Sequence, residues 1–133
     1  MWTMDINTTV LSRLRARGNA DLKNKYANIN FTDDNRAPIE PKFPTVYYFN
    51  ISSPEEGTTL DGKTVNGILH SVQLEVSDNG STNATAKAVM SKICDYMKDM
   101  GYQIVGSPEF RNTDTVYRMV GRFRRVIGAN DVI

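Results

Sequence analysis

The sequence is short of the residues on which small catalytic and secreted proteins depend. Its 133 residues contain one cysteine, Cys94, and one histidine, His70. A single thiol closes no internal disulfide, which excludes a disulfide-stapled secreted scaffold and points to a reducing environment where the chain folds. His70 and Cys94 are too few for a catalytic zinc site, and a Ser-His-Asp triad has only His70 to build on. The phosphate-cradling GxxxxGK[ST], the dinucleotide GxGxxG and the zinc-binding HExxH are all missing. No run approaches the roughly 20 apolar residues that span a bilayer. The opening Met1-Trp2-Thr3-Met4-Asp5 lacks a basic segment followed by an apolar one, so no signal peptide is expected. Neither sign of charge dominates: sixteen Lys and Arg face fifteen Asp and Glu, a formal net charge of +1. A charge-driven nucleic-acid binder carries a larger basic excess, although a local patch remains compatible with this balance. These absences predict no catalytic residues, no cofactor and no metal.

What is present suits one domain over residues 1–133, long enough to bury a normal core without crosslinks. Ile6, Val10, Leu11 and Leu14 recur at helical spacing and predict a helix from about Asp5 to Arg17, with Asp5 as cap and Gly18-Asn19 as stop. Thr32-Asp33-Asp34-Asn35 carries turn chemistry, and Pro38, Pro41 and Pro44 then exclude a helix. Residues 32–44 are therefore expected to form an extended proline-rich arm. Thr45 to Ile51 is aromatic and β-branched, as a strand would be. The glycines, Pro54 and Asp61-Gly62 between Ser52 and Gly67 predict an exposed connection, in which Asp61-Gly62 can close a hairpin.

Alternation is cleanest from Ile68 to Ser77, where Ile68, His70, Val72, Leu74 and Val76 share one side of a strand. A helix from about Thr82 to Met100 follows, with Ala86, Val89, Met90, Ile93, Met97 and Met100 as its apolar stripe and Gly101 as its stop. A short strand, 102–105, and a long one, about Thr115 to Ile127, complete the chain. In the long one Tyr117, Met119, Gly121 and Phe123 share one face, and Val116, Arg118, Val120, Arg122 and Arg124 the other. The order helix-strand-strand-helix-strand-strand predicts an α+β fold: a two-layer sandwich of a mainly antiparallel sheet packed by helices.

Three stretches meet a known family. They are Phe43-Pro44-Thr45-Val46-Tyr47-Tyr48; Ser71-Val72-Gln73-Leu74-Glu75-Val76, followed by Asp78 and a helix holding Ala84, Ala86 and Ala88; and Met100-Gly101-Tyr102, then Ser107-Pro108, Tyr117-Arg118 and Arg122-Phe123-Arg124. In order and spacing the chain resembles the tail terminator (tail completion) proteins of tailed bacteriophages over about residues 43–127. The resemblance implies a virion protein of the tail–neck junction, assembled in the host cytoplasm as a homo-oligomeric ring, typically a hexamer. Such a ring caps the tail tube, ends its polymerisation and joins it to the head–neck connector, while genomic DNA passes through its channel without sequence-specific binding. Its partners are itself, the tail tube protein and the connector protein; it makes or breaks no bond and takes no membrane.

A closed ring needs two different patches on each protomer. The expected interface residues are Arg36, Pro38, Pro41 and Phe43 on the arm, Tyr48 on the aromatic strand, and Glu55, Glu56 and Asp61 in the connection. Arg118, Arg122 and Arg124 on the last strand complete the set. Three other readings compete: another head–tail joining or neck protein, a small nucleic-acid-binding module using the arginine strand, and an enzyme pairing His70 with Asp61, Glu75 or Asp78. His70 itself reads as a buried, hydrogen-bonded core residue, and Cys94 as a small core residue.

Overall fold

A computed structural model of the chain describes residues 2–34, 42–52, 55–56, 67–112 and 115–128. Two helices lie on one face of a mixed, mostly antiparallel sheet, the α+β arrangement expected from the element order. The elements are α1 (Trp2–Asp21), β1 (Asn30–Thr32), β2 (Thr45–Ser52), β3 (Glu55–Glu56), β4 (Gly67–Asp78), α2 (Ala84–Asp99), β5 (Gln103–Ile104), β6 (Glu109–Phe110) and β7 (Tyr117–Gly128). Among the described residues the strands run β1-β2-β4-β7-β5, with β3 against the start of β4 and β6 against β7. Among the described residues only the β1–β2 pairing is parallel.

The centre of the sheet is the long β4–β7 ladder, in register from Gly67↔Gly128 to Asp78↔Tyr117. Alternation puts Ile68, His70, Val72, Leu74 and Val76 of β4 on the helix side, and all five are buried. Facing them, α2 contributes Ala86, Val89, Met90, Ile93, Tyr96 and Met97. Each large aliphatic side chain buried in this way contributes about 1.5–3 kcal/mol. Gly121 of β7 keeps the two layers close: a Cβ there would stand 3.1 Å from the Met90 sulfur. The helix ends as its glycine predicted. Gly101 adopts φ +85°, its N–H donates to the Lys98 carbonyl, and the Tyr102 N–H reaches back to Met97, a Schellman closure.

Several sequence expectations are corrected. Helix α1 starts at Trp2, so Asp5 lies in its first turn rather than at its cap. It also continues through Gly18 to Asp21, because the Phe31 ring packs where a side chain at position 18 would stand. Strand β1, not foreseen in the sequence, forms just ahead of the expected arm; Asn30 N–H donates to the Pro44 carbonyl as the chain enters β2. Much of the proline-rich arm, including Arg36, Pro38 and Pro41, lies outside the described residues, as do Asp61 and the hairpin expected at Asp61-Gly62.

Candidate functional site

Helices cover one face of the sheet, and the side chains of the other face define the candidate surface. On β2 alternation sends Val46 and Tyr48 inward and Tyr47 and Phe49 outward. Tyr48 is 3% exposed and belongs to the core, which corrects its expected place in an interface. Three consecutive aromatics do not reveal their own parity; the burial of Val46 two residues earlier sets it. Phe49, at 46% exposure, is the aromatic that faces out.

On β7 the expected arginine stripe is present on this open face, interrupted by Val120, which is buried between Arg118 and Arg122. Arg122 is tied sideways into a chain of polar groups. Arg122 Nε donates to Gln73 Oε1 at 3.1 Å, and Gln73 Nε2 donates to Glu75 Oε1 at 2.8 Å. Glu109 of β6 accepts from Arg111 at 2.9 Å and lies 3.7 Å from Arg122. The Arg111 hydrogen bond holds the Glu109 carboxyl below the usual carboxylate range. Arg118 Nε stands 4.0 Å from Glu75 and has no hydrogen-bond partner. Arg124 is exposed and beside Leu69, Gln103 and Val126, with which it lines a shallow open hollow of about 300 Å³. The stripe is therefore unevenly engaged: the Arg122 guanidinium is held by Gln73 and Glu109, whereas Arg124 makes no ion pair among the described residues.

Of the remaining predicted residues, Phe43 is half-buried where the chain enters β2. Glu55 and Glu56 form β3, pairing with Ile68 and Gly67 at one end of the sheet. The structure thus gathers Arg118, Arg122 and Arg124 on one face and leaves Phe43, Glu55 and Glu56 at other places along the sheet.

The buried polar groups have a structural explanation. His70 is wholly buried; its Nδ1 lies 2.6 Å from the Tyr102 hydroxyl and its Nε2 2.7 Å from Asn7 Oδ1. The Tyr48 hydroxyl also donates to Asn7 Oδ1. One proton arrangement satisfies all four groups: Tyr102 donates to Nδ1, and Nε2–H and Tyr48 both donate to the Asn7 carbonyl oxygen. That arrangement requires neutral imidazole, and burial pushes the His70 pKa down to about 4. Burial likewise pushes the Tyr48 and Tyr102 phenols above their ordinary value. His70 is paired with neither Glu75 nor Asp78, and Asp61 lies outside the described residues. Glu75 points to the opposite face of β4, and Asp78 caps the following turn by accepting the Gly80 N–H at 3.0 Å. Asn7 escaped the sequence reading, although its spacing from Val10, Leu11 and Leu14 places it on the inward stripe. Cys94 is half-buried against the core, and burial raises its thiol pKa.

Among the described residues no three His, Cys, Asp or Glu side chains converge as a metal site would require, and no helix is long and apolar enough to cross a membrane. The fold is similar to that of a solved chain from the virion of a native gene transfer agent particle. The similarity has a TM-score of 0.58 and covers 90% of this chain and 92% of that one, at 19% sequence identity. At that identity the likeness is one of fold. No family model matches the chain, and no curated protein sequence matches it.

Proposed function

We propose that this chain is a structural protein of a phage-like virion, and within it a tail terminator that assembles as a ring, hexameric in its working form. The observation that carries the reading is the shared fold: the likeness to a virion chain runs through 90% of this protein and 92% of the other. The sequence resemblance to tail terminators supports the narrower role.

The physical content of that role is capping by surface complementarity. A ring of identical protomers closes when one patch meets a different patch on its neighbour and the rotations sum to a full turn. Two regions that differ in chemistry are available for this, the entry to β2 around Phe43 and the β7 side with its arginines. One side of the ring then stops the tail tube and the other receives the head–neck connector, with genomic DNA passing through the centre. The modest net charge of +1 suits a channel through which DNA must slide, because a dense basic lining would hold phosphates.

Growing tubes from purified tail tube protein tests the role. Adding this chain is expected to halt elongation and leave a ring at the tube end in electron micrographs. Tubes that keep growing, with bare ends, would overturn it; a ring found on connectors alone would reassign the chain to another neck position.

A further inference from the structure

We propose that Asn79 is a site of spontaneous succinimide chemistry and that the Asp78 carboxylate holds that chemistry back. Asn79-Gly80 lies in the turn between β4 and α2, and both residues are exposed. An asparagine followed by glycine is the pair most open to this modification, because glycine presents its backbone nitrogen with no side chain in the way. Exposure and sequence alone therefore make the site fast.

The reaction uses only the chain and water. The Gly80 nitrogen gives its proton to solvent base and attacks the Asn79 side-chain carbonyl carbon. A new N–Cγ bond closes a five-membered imide, the Cγ–Nδ2 bond breaks, and the side-chain nitrogen takes up a proton and leaves as ammonia. Water then opens the imide at either carbonyl, giving aspartate or isoaspartate. The net change is the exchange of NH for O, and nothing is oxidised or reduced. The isoaspartate form adds a methylene to the main chain between Asp78, the last register pair of the β4–β7 ladder, and Ala84, where α2 begins.

The nitrogen that must attack is already engaged. Gly80 N–H donates to Asp78 Oδ2 at 3.0 Å. Asp78 is 6% exposed and its backbone pairs with Tyr117, so the carboxylate is held in place. Attack must first break a hydrogen bond to a charged acceptor, which is the stronger kind. Removing the amide proton would also set an anionic nitrogen against a carboxylate, and like charge disfavours the ionised form. The arrangement depends on glycine at position 80, since a Cβ there would stand 2.8 Å from Asp78 Oδ2. The missing side chain that makes Gly80 a ready nucleophile is thus also what admits the guard.

The inference stands on this turn alone and is untouched by how the virion role fares. Its test is the rate of conversion at residue 79 in folded protein kept in warm, mildly alkaline buffer. Peptide mapping by mass spectrometry follows it, with fragment masses placing the change at residue 79 and enzymatic methylation detecting isoaspartate. Asn66, the other asparagine followed by glycine, lies outside the described residues and is read on its own peptide.

Asp78→Ala should raise the rate at least about tenfold, the factor that one hydrogen bond to a charged group is worth. Asp78→Asn keeps the size and an acceptor oxygen but not the charge, and should raise it by a smaller factor. This second variant decides the matter if the circular dichroism spectrum shows that Asp78→Ala has lost the fold. Thr82→Ala separates the guard from simple loosening, because Thr82 Oγ1 accepts the Ala84 N–H in the same turn without touching Asp78. It should change the rate by no more than about twofold. Folded Asp78 variants that convert no faster than the wild type, or a Thr82→Ala rate equal to that of Asp78→Ala, would overturn the proposal.

Discussion

The Phe31 ring fills the space that a side chain at position 18 would take: a Cβ built on Gly18 would lie 2.1 Å from Phe31 Cζ. Phe31 is 3% exposed and its backbone is tied into β1, so the ring has little freedom to withdraw. Alanine in an unobstructed helix would gain about 1 kcal/mol over glycine. Here overpacking dominates, and Gly18→Ala should lower stability by about 1–3 kcal/mol in urea unfolding. Combining it with Phe31→Leu should recover part of the loss. A raised midpoint for the single variant would contradict this packing.

The neutral His70 makes stability depend on pH in a defined window. Its folded pKa of about 4 lies below the ordinary value of 6.5. Between those values the unfolded chain takes up a proton that the folded chain refuses, so stability falls as pH drops from about 6.5 to about 4. At about 1.4 kcal/mol per unit of pKa, the loss approaches 3 kcal/mol. His70→Gln should flatten this part of the profile, as chemical denaturation at a series of pH values would reveal. An equally steep fall in the variant would place the sensitivity elsewhere.

Tyr102→Phe removes the donor to His70 Nδ1 and leaves a buried acceptor unsatisfied. A cost of about 1–3 kcal/mol is expected. Tyr47→Phe, on the open face, should stay within about 0.5 kcal/mol of the parent. Equal effects of the two substitutions, measured by thermal unfolding, would argue against the hydrogen-bond arrangement around His70.

Two glycines separate backbone strain from contact. Gly101 and Gly106 both adopt positive φ, +85° and +73°. Alanine at either position should cost about 1–2 kcal/mol for the left-handed conformation alone. A Cβ at Gly101 also meets the Arg125 side chain at 3.3 Å, whereas one at Gly106 meets nothing within 4 Å. Gly101→Ala should therefore be the more destabilising of the two. The reverse order in parallel urea titrations would contradict the contact.

The parts of the fold legible in the sequence are those whose order is local. Strand β4 shows its period of two because one face is buried along its whole length, and the stripe and glycine stop of α2 show for the same reason. Strand β1 was not legible. Asn30-Phe31-Thr32 is too short to display a period, and its pairing with β2 is a non-local contact. Gly18 read as a stop because nothing nearby in sequence reveals that Phe31 folds back over it. The arginine face was readable from alternation, but its sideways ties to Gln73 and Glu109 depend on strand register. Tyr48 went to the wrong side because neighbouring aromatics fit either parity.

The proposed role requires this chain to build a ring on the tail tube. Light scattering on the protein, alone across concentrations and again with purified tube protein, tests it most directly. Tube protein is expected to bring the chain into an assembly of six times its 14.9 kDa mass at tube ends. A chain that stays a monomer or a pair, whatever the amount of tube protein added, would contradict it.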